Sequence, residues 1–185
     1  MATFRTPQTV HLPLESIHRA ETFAQAVADT VDYEDSHQTK RKKIHDDHFV
    51  SKLGEEAVRH VFASRHCTVE GPDYSIYEGK QKSWSADLKI NSLDVAVKTQ
   101  RRSAANRYGL SWTFQDSPKR RDPILAMPEA WVCLVVYEDK KPSYECVVYP
   151  LRKIKHLIFE PPRLGRLVGK KQAVYLETLE RQKIF

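Results

Sequence analysis

A carboxylate and a lysine lie within one stretch of alternating polar and apolar residues, residues 85–100. If this stretch forms two strands joined by the turn Asn91-Ser92, Asp87 lies opposite Ala96, two residues before Lys98 on the same face. Directly opposed side chains in a sheet are about 5 Å apart. A carboxylate and a lysine held at such spacing on a rigid sheet face suit metal-assisted cleavage of a phosphodiester bond.

That chemistry gives each of the two side chains a role. A divalent metal ion polarises the phosphoryl oxygen and lowers the pKa of the attacking water. Hard cations such as Mg²⁺, or Mn²⁺ in its place, prefer oxygen ligands and often take one or two carboxylates. Asp87 is therefore the first candidate for a metal ligand. Lys98 would stabilise the negative charge that develops on the phosphate.

The strands that position these residues are predicted from the alternation itself. A period of two is typical of a hairpin with one buried face. The apolar face holds Ala86, Leu88, Ile90, Leu93, Val95 and Val97. Ala96 is the only apolar residue on the opposite face, which is otherwise polar.

The rest of the chain supplies the elements around this hairpin. Apolar residues at helical spacing predict helices over residues 15–31 and 44–65. Strands are predicted near residues 67–70, 73–77, 109–115, 131–137 and 143–149, a short helix over 150–157, and a strand or helix from 171. Residues 1–14 are predicted to be irregular. The expected fold is α/β (α+β), a central mixed β-sheet flanked by helices, with an N-terminal helical extension and basic linker (residues 1–43) before a core domain (residues 44–185).

The composition of the chain limits its size class and its expected location in the cell. The 185 residues are 41% hydrophobic, enough for one domain with a sizeable core. No apolar run reaches the roughly 20 residues that span a bilayer, so no membrane partner is expected. The three cysteines have no metal-binding spacing and cannot all pair with one another, which favours a reducing, intracellular (cytoplasmic) location.

Positive charge is concentrated beside the hairpin. The net charge of the chain is +6, and residues 98–121 alone carry a balance of +6. This concentration favours a polyanionic partner such as DNA. The candidate DNA-binding residues are Arg101, Arg102, Arg107, Lys119, Arg120 and Arg121. A solvated surface with no binding role is the alternative for the same charges.

Three short motifs together resemble the PD-(D/E)XK nuclease superfamily, which includes restriction endonucleases and Holliday-junction resolvases. Gly54-Glu55 is similar to the Gly-Glu element of that family's first helix. The segment 85–88 is similar to the strand that bears its aspartate, and 95–100 to its acid-x-Lys strand. The resemblance spans roughly residues 52–137 and implies a restriction-endonuclease-like fold.

The resemblance also extends the candidate site. It implies that Glu55 reaches the metal through a water molecule, with Glu56 as its rival, and that Gln100 helps to position water or backbone. Asp73, in the dipeptide Pro72-Asp73, is a second candidate for the family aspartate. It ranks below Asp87 because it lacks the paired-strand geometry with Lys98.

The chain departs from the family pattern at position 96. The resemblance places an aspartate or glutamate there, binding Mg²⁺ together with Asp87, but this chain has Ala96. Three explanations are open. An acid of the natural sequence has been replaced by alanine, or the acid has migrated to Asp94 or Glu55, or the chain is a natural DNA-binding relative without catalysis.

The function expected from these residues is a metal-dependent DNA endonuclease, a hydrolase of phosphodiester bonds. Ala96 leaves open whether this chain is a catalytically inactivated form. A non-catalytic nucleic-acid-binding module and a protein-interaction subunit are the alternatives. Double-strand cutting by a single-site domain would need two copies, so a homodimer is expected.

Overall fold

The two long helices of this chain lie on one face of a central β-sheet, and a second, smaller sheet lies on the other. The structure is a computed structural model that describes residues 4–30, 40–77, 86–140 and 143–181. Its strands are β1 (Gln8–His11), β2 (Val69–Glu70), β3 (Leu88–Ile90), β4 (Leu93–Arg101), β5 (Ser111–Ser117), β6 (Arg120–Arg121), β7 (Trp131–Tyr137), β8 (Glu145–Val148), β9 (Arg152–Lys153) and β10 (Lys171–Tyr175). Its helices are α1 (Leu14–Thr30), α2 (Arg41–Ala63), α3 (Ala105–Tyr108) and α4 (Leu176–Arg181).

The central sheet is mixed. Its strand order is β1-β8-β7-β4-β3-β2, and β9 also pairs with β7. The pair β4–β7 is parallel, and the other pairs of the sheet are antiparallel. The small sheet, in the order β10-β5-β6, comes largely from the connection between β4 and β7. This arrangement confirms the predicted α/β (α+β) class.

One apolar core lies between the helices and the central sheet. Leu88, Ile90, Val95 and Val97 are buried there, as the alternation of the hairpin predicts. Leu53 and Phe62 of α2 pack into the same core. The apolar face of the hairpin is therefore the face that α2 covers.

A second core lies between the two sheets. Trp112 and Phe114 of β5 are buried in it, together with alternate residues of β7. The intervening residues of β7 belong to the first core, so this strand is covered on both faces, as its continuous apolar run predicts. Because the small sheet lies over the polar face of β4, that face is half-buried rather than open to solvent.

Gly54 allows α2 to approach β4 closely. A β-carbon at position 54 would overlap the Thr99 side chain. Glycine inside a helix normally destabilises it, but here the missing side chain brings the next residue of the helix, Glu55, close to the hairpin.

Several segments differ from the prediction. The basic residues Arg41 to Lys43 form the first turn of α2 instead of a linker. Residues 8–11, predicted to be irregular, form β1 and pair with β8, so the N-terminal segment shares a sheet with the rest of the chain. The tail from Lys171 contains both a strand and a helix. Residues 150–157, predicted to form a short helix, contain β9 and a short 3₁₀ turn.

The predicted strand at residues 73–77 is wrong. The Asp73 carboxylate accepts hydrogen bonds from the Ser75 N–H (2.9 Å) and the Tyr77 hydroxyl (2.6 Å). These local bonds compete with strand pairing, and they occupy both oxygens of the second candidate for the family aspartate.

The described residues carry no helix with both the length and the apolar character needed to cross a bilayer. Cys67, Cys133 and Cys146 are buried free thiols. Burial raises the pKa of Cys146 to about 12 and that of Cys133 further, so both stay protonated.

Candidate active site

The register of the hairpin places Asp87 as predicted. Leu88 pairs with Val95, so Asp87, one residue before β3, lies opposite Ala96. The turn residues Asn91 and Ser92 have φ values of 45° and 67°, as a two-residue hairpin turn requires.

Asp87 is fixed by the backbone of the neighbouring strand. Its Oδ2 atom accepts a hydrogen bond of 2.7 Å from the Val97 N–H. Burial raises the pKa of the Asp87 carboxyl, while the Val97 N–H and the ammonium groups of Lys98 and Lys52 oppose the increase. A half-buried carboxylate with cations from two elements around it therefore lies just before β3.

Glu55 of α2 belongs to the same cluster. Its Oε2 accepts a hydrogen bond of 2.6 Å from Lys52 Nζ, and its Oε1 accepts one of 3.2 Å from the Ser51 hydroxyl. The pKa of Glu55 is raised to about 8, chiefly by burial and also by the negative charge of Asp87, against the opposing effect of Lys52. The helix and the hairpin thus bring two carboxylates close enough to oppose each other's ionisation.

The adjacent Glu56 lies in a different environment. It is fully buried and accepts hydrogen bonds from side chains of α1, α2 and the segment before residue 78, namely Ser16, Arg19, Arg59 and Tyr74. Burial would raise the pKa of Glu56, but the hydrogen bonds from Tyr74 and Arg59 lower it overall. Glu56 is thus a structural anchor, and Glu55 is the glutamate that faces the hairpin.

Lys98 is held by a residue absent from the sequence-based candidates. Its Nζ lies 2.7 Å from Asp122 Oδ2, and the two side chains are 27% and 20% exposed. Lys98 Nζ also lies 5.0 Å from the centre of the Phe114 ring. Asp122 acts on Asp87 as well, since its charge raises the Asp87 pKa. Asp122 follows β6 in a loop without periodic pattern, so no local signal marks it.

Position 96 presents a methyl group where a carboxylate was expected. Ala96 is half-buried and packs against the core between the sheets. Of the two places proposed for a migrated acid, the structure brings Glu55 close to Asp87. Asp94 instead lies exposed beside the turn, opposite Lys89.

Gln100 connects the central sheet to the small one. Its Nε2 donates to the Ser111 carbonyl at 3.2 Å, and its Oε1 accepts from the Arg101 N–H at 2.9 Å. These bonds hold the backbone where the two sheets meet, and a role for Gln100 in the candidate site stays a prediction.

Two of the candidate DNA-binding arginines make intramolecular contacts. Arg101 donates to the Asp46 carbonyl at 3.0 Å. Arg102 binds both oxygens of Glu138 at 2.6 to 3.1 Å. A carboxylate in a bidentate pair offsets the positive charge of the guanidinium, which weakens its attraction for phosphate.

The other candidates lie elsewhere on the surface. Lys119, Arg120 and Arg121 are exposed around β6, and Arg121 Nε lies 3.2 Å from Asp116. The side chain of Arg107 is outside the described part of the structure. The 98–121 segment therefore splits into two internally bonded arginines and an exposed basic hairpin.

Within the described ranges, no three His, Cys, Asp or Glu side chains are arranged to share a metal ion. Asp87 and Glu55 remain as a pair of carboxylates. This pair fits a magnesium site of the sparse kind, in which one or two carboxylates are supplemented by water and substrate phosphate.

Comparisons of the chain with family models, with characterised proteins and with solved structures found no match. The resemblance carried by residues 52–137 therefore stays a prediction, and a functional assignment depends on the geometry of the site.

Proposed function

We propose that this chain is a metal-dependent DNA endonuclease whose site lacks one metal-ligating acid, at position 96. The observation that carries the proposal is the convergence of Asp87, Glu55 and Lys98 from a hairpin and the helix packed on it. Carboxylates can hold the metal ion that such hydrolysis uses, and a lysine can stabilise the negative charge that develops on the phosphate.

The electrostatics of the carboxylate pair support a cation there. Burial raises the pKa of both Asp87 and Glu55, and the two charges repel each other. A cation between them would offset this cost. Asp87 and Glu55 would hold Mg²⁺ or Mn²⁺, which when bound polarises a phosphoryl oxygen and acidifies a water molecule.

Lys98 would act on the phosphate. Asp122 holds its ammonium at 2.7 Å, beside Asp87. A cation fixed in a half-buried site stabilises developing negative charge more strongly than one in bulk water. Glu55 would have to release Lys52 or share it when a metal ion binds.

The alanine at position 96 favours a second candidate function, that of a non-catalytic nucleic-acid-binding protein. The Ala96 methyl group packs against an apolar cluster and offers no oxygen to a cation. In that case the hairpin would keep the shape of a hydrolytic site and use only its basic surroundings.

Restoring the acid separates the two candidates. Ala96→Glu and Ala96→Asp are compared with the unchanged chain on plasmid and branched DNA, with Mg²⁺, Mn²⁺ or a chelator. We expect metal-dependent cleavage by at least one restored variant, lost again when Lys98→Met is added. Circular dichroism checks that each variant is folded.

Metal binding supplies a readout that does not depend on cleavage. We expect calorimetry with Mn²⁺ to show tighter binding to Ala96→Asp than to the unchanged chain, and the Asp87→Asn change to abolish it. Folded variants that neither bind Mn²⁺ nor cut DNA would rule out the endonuclease. Retained, salt-dependent DNA binding in those variants would then support the second candidate.

A further inference from the structure

Lys171 is a half-buried lysine outside the basic segment 98–121. It begins β10, opposite Gln115 of β5. The Gln115 carbonyl accepts a hydrogen bond of 2.9 Å from the Asp122 N–H, and the Asp122 carboxylate holds Lys98. The small sheet therefore brings Lys171 into the neighbourhood of Lys98, although the two residues are far apart in the sequence.

Other cations converge on Lys171. Beyond the effect of burial, the positive charges of three residues lower the pKa of the Lys171 ammonium. They are Lys43 of α2, Lys98 of β4 and Arg120 of β6. Together with Lys171 they are named here the basic cluster. The side chain of Lys43 is 53% exposed, and Arg120 is also exposed, so the cluster opens to solvent.

Negative charge within the fold balances the cluster only in part, through the pair of Asp122 with Lys98 and that of Asp47 with Lys43. Asp47 is the carboxylate that acts on Lys171 most strongly, and it also pairs with Lys43 at 2.6 Å. Among the described residues, no ion pair or hydrogen bond to an acceptor joins the Lys171 ammonium. Burial and the neighbouring cations lower the pKa of Lys171, so the folded chain holds this charge at a cost.

We propose that the basic cluster binds the phosphate backbone of a nucleic acid strand, with Lys171 at its centre. A polyanion supplies the charge that the fold lacks, and binding is further favoured because phosphates release condensed counterions. The inference rests on the proposed function through Lys98 alone, which belongs both to the cluster and to the candidate active site. A strand held by the cluster would pass directly beside Asp87.

The test measures binding of a labelled DNA duplex to the full chain across a salt series. Lys171→Ala is compared with Lys89→Ala, a matched change at an exposed lysine of β3 that lies opposite Asp94. We expect Lys171→Ala to weaken binding roughly fivefold to tenfold at about 0.1 M salt and to reduce the salt slope by about one. Lys89→Ala should change neither quantity. An RNA duplex of the same sequence, run in parallel, distinguishes DNA from RNA as the source of the phosphates.

Thermal unfolding separates a binding role from a structural one. Because the Lys171 ammonium is half-buried among like charges, Lys171→Ala should leave the Tm unchanged or raise it while affinity falls. A lower Tm with unchanged affinity would overturn the proposal, as would equal affinities of Lys171→Ala and Lys89→Ala.

Failure of the cluster can be told apart from failure of the proposed function. If Ala96→Glu cuts DNA while Lys171→Ala binds DNA as tightly as the control, the basic cluster does not bind the phosphate backbone. The proposal of an endonuclease is then still supported. If the chain binds neither duplex at low salt but binds an acidic protein, the cluster is a protein-docking surface and the present proposal is overturned.

Discussion

The Asp87 carboxylate accepts a hydrogen bond of 2.7 Å from the backbone N–H of Val97, a residue of the strand opposite. Regular pairing between β3 and β4 ends at Leu88, so this carboxylate satisfies an N–H group just beyond the ladder. The bond holds the Asp87 side chain beside position 96. The candidate site is thus built at the end of a strand, where a backbone N–H group orients the carboxylate.

Gly54→Ala should destabilise the fold by about 1–3 kcal/mol, the usual range for overpacking. The added methyl group would overlap Thr99, so α2 must move away from β4. Gly165→Ala is the control, because a β-carbon there meets no atom within 4 Å. Urea unfolding compares the two variants. Adding Thr99→Ala should recover part of the loss, and equal stabilities of the two glycine variants would contradict the close approach.

Arg102→Lys separates internal pairing from phosphate binding. The bidentate pair with Glu138 requires a guanidinium, so we expect a loss of about 1 kcal/mol of stability, limited by the partial exposure of the pair. DNA affinity should stay unchanged, since charge is kept and Arg102 is already bonded. A large fall in affinity without a change in stability would restore Arg102 as a phosphate contact.

Local patterns predict the hairpin and the strands well for a physical reason. The alternation over residues 85–100 reflects one buried face, and a slip of one residue would expose that entire face. The register, and with it the position of Asp87 opposite Ala96, could therefore be predicted from the sequence. The buried run at residues 131–137 is equally informative, because only a strand covered on both faces is apolar throughout.

Contacts between distant segments could not be predicted in this way. Asp122 forms an ion pair with Lys98, and Lys171 lies within range of the Lys98 charge, because the small sheet packs over β4. The residues next to Asp122 and Lys171 in the sequence show no pattern that would predict this packing. The strand predicted at 73–77 is wrong for a related reason. The Asp73 side chain bonds its own local backbone, and a propensity for strands cannot reveal such competition.

The pair Lys98–Asp122 should show a measurable coupling energy. The two side chains are mostly buried and 2.7 Å apart, so a double-mutant cycle of Lys98→Met and Asp122→Asn should give about 1 kcal/mol. Asp122→Asn alone should also strengthen DNA binding at low salt, because it frees one cation of the basic cluster. Additive stability changes would show that the two residues are not coupled.

Glu55 and Glu56 are neighbours on α2, yet their replacements should have opposite effects. Burial raises the pKa of Glu55 from 4.5 to about 8. Across that range the folded chain retains a proton that the unfolded chain has released, so stability falls as the pH rises. Glu55→Gln should remove this dependence and be more stable than the unchanged chain near pH 8.

For Glu56 the sign is reversed. Burial alone would raise the pKa of Glu56. The hydrogen bonds from Tyr74 and Arg59 outweigh burial and lower this pKa below the ordinary 4.5. The stability it contributes is complete above that value and is lost as the pH falls through the lower, folded value. Glu56→Gln should cost about 3 kcal/mol at neutral pH, because it leaves Arg19 and Arg59 without their shared carboxylate. Urea unfolding from about pH 3 to about pH 9 measures both variants, and parallel pH profiles for the two would refute the separate environments of these glutamates.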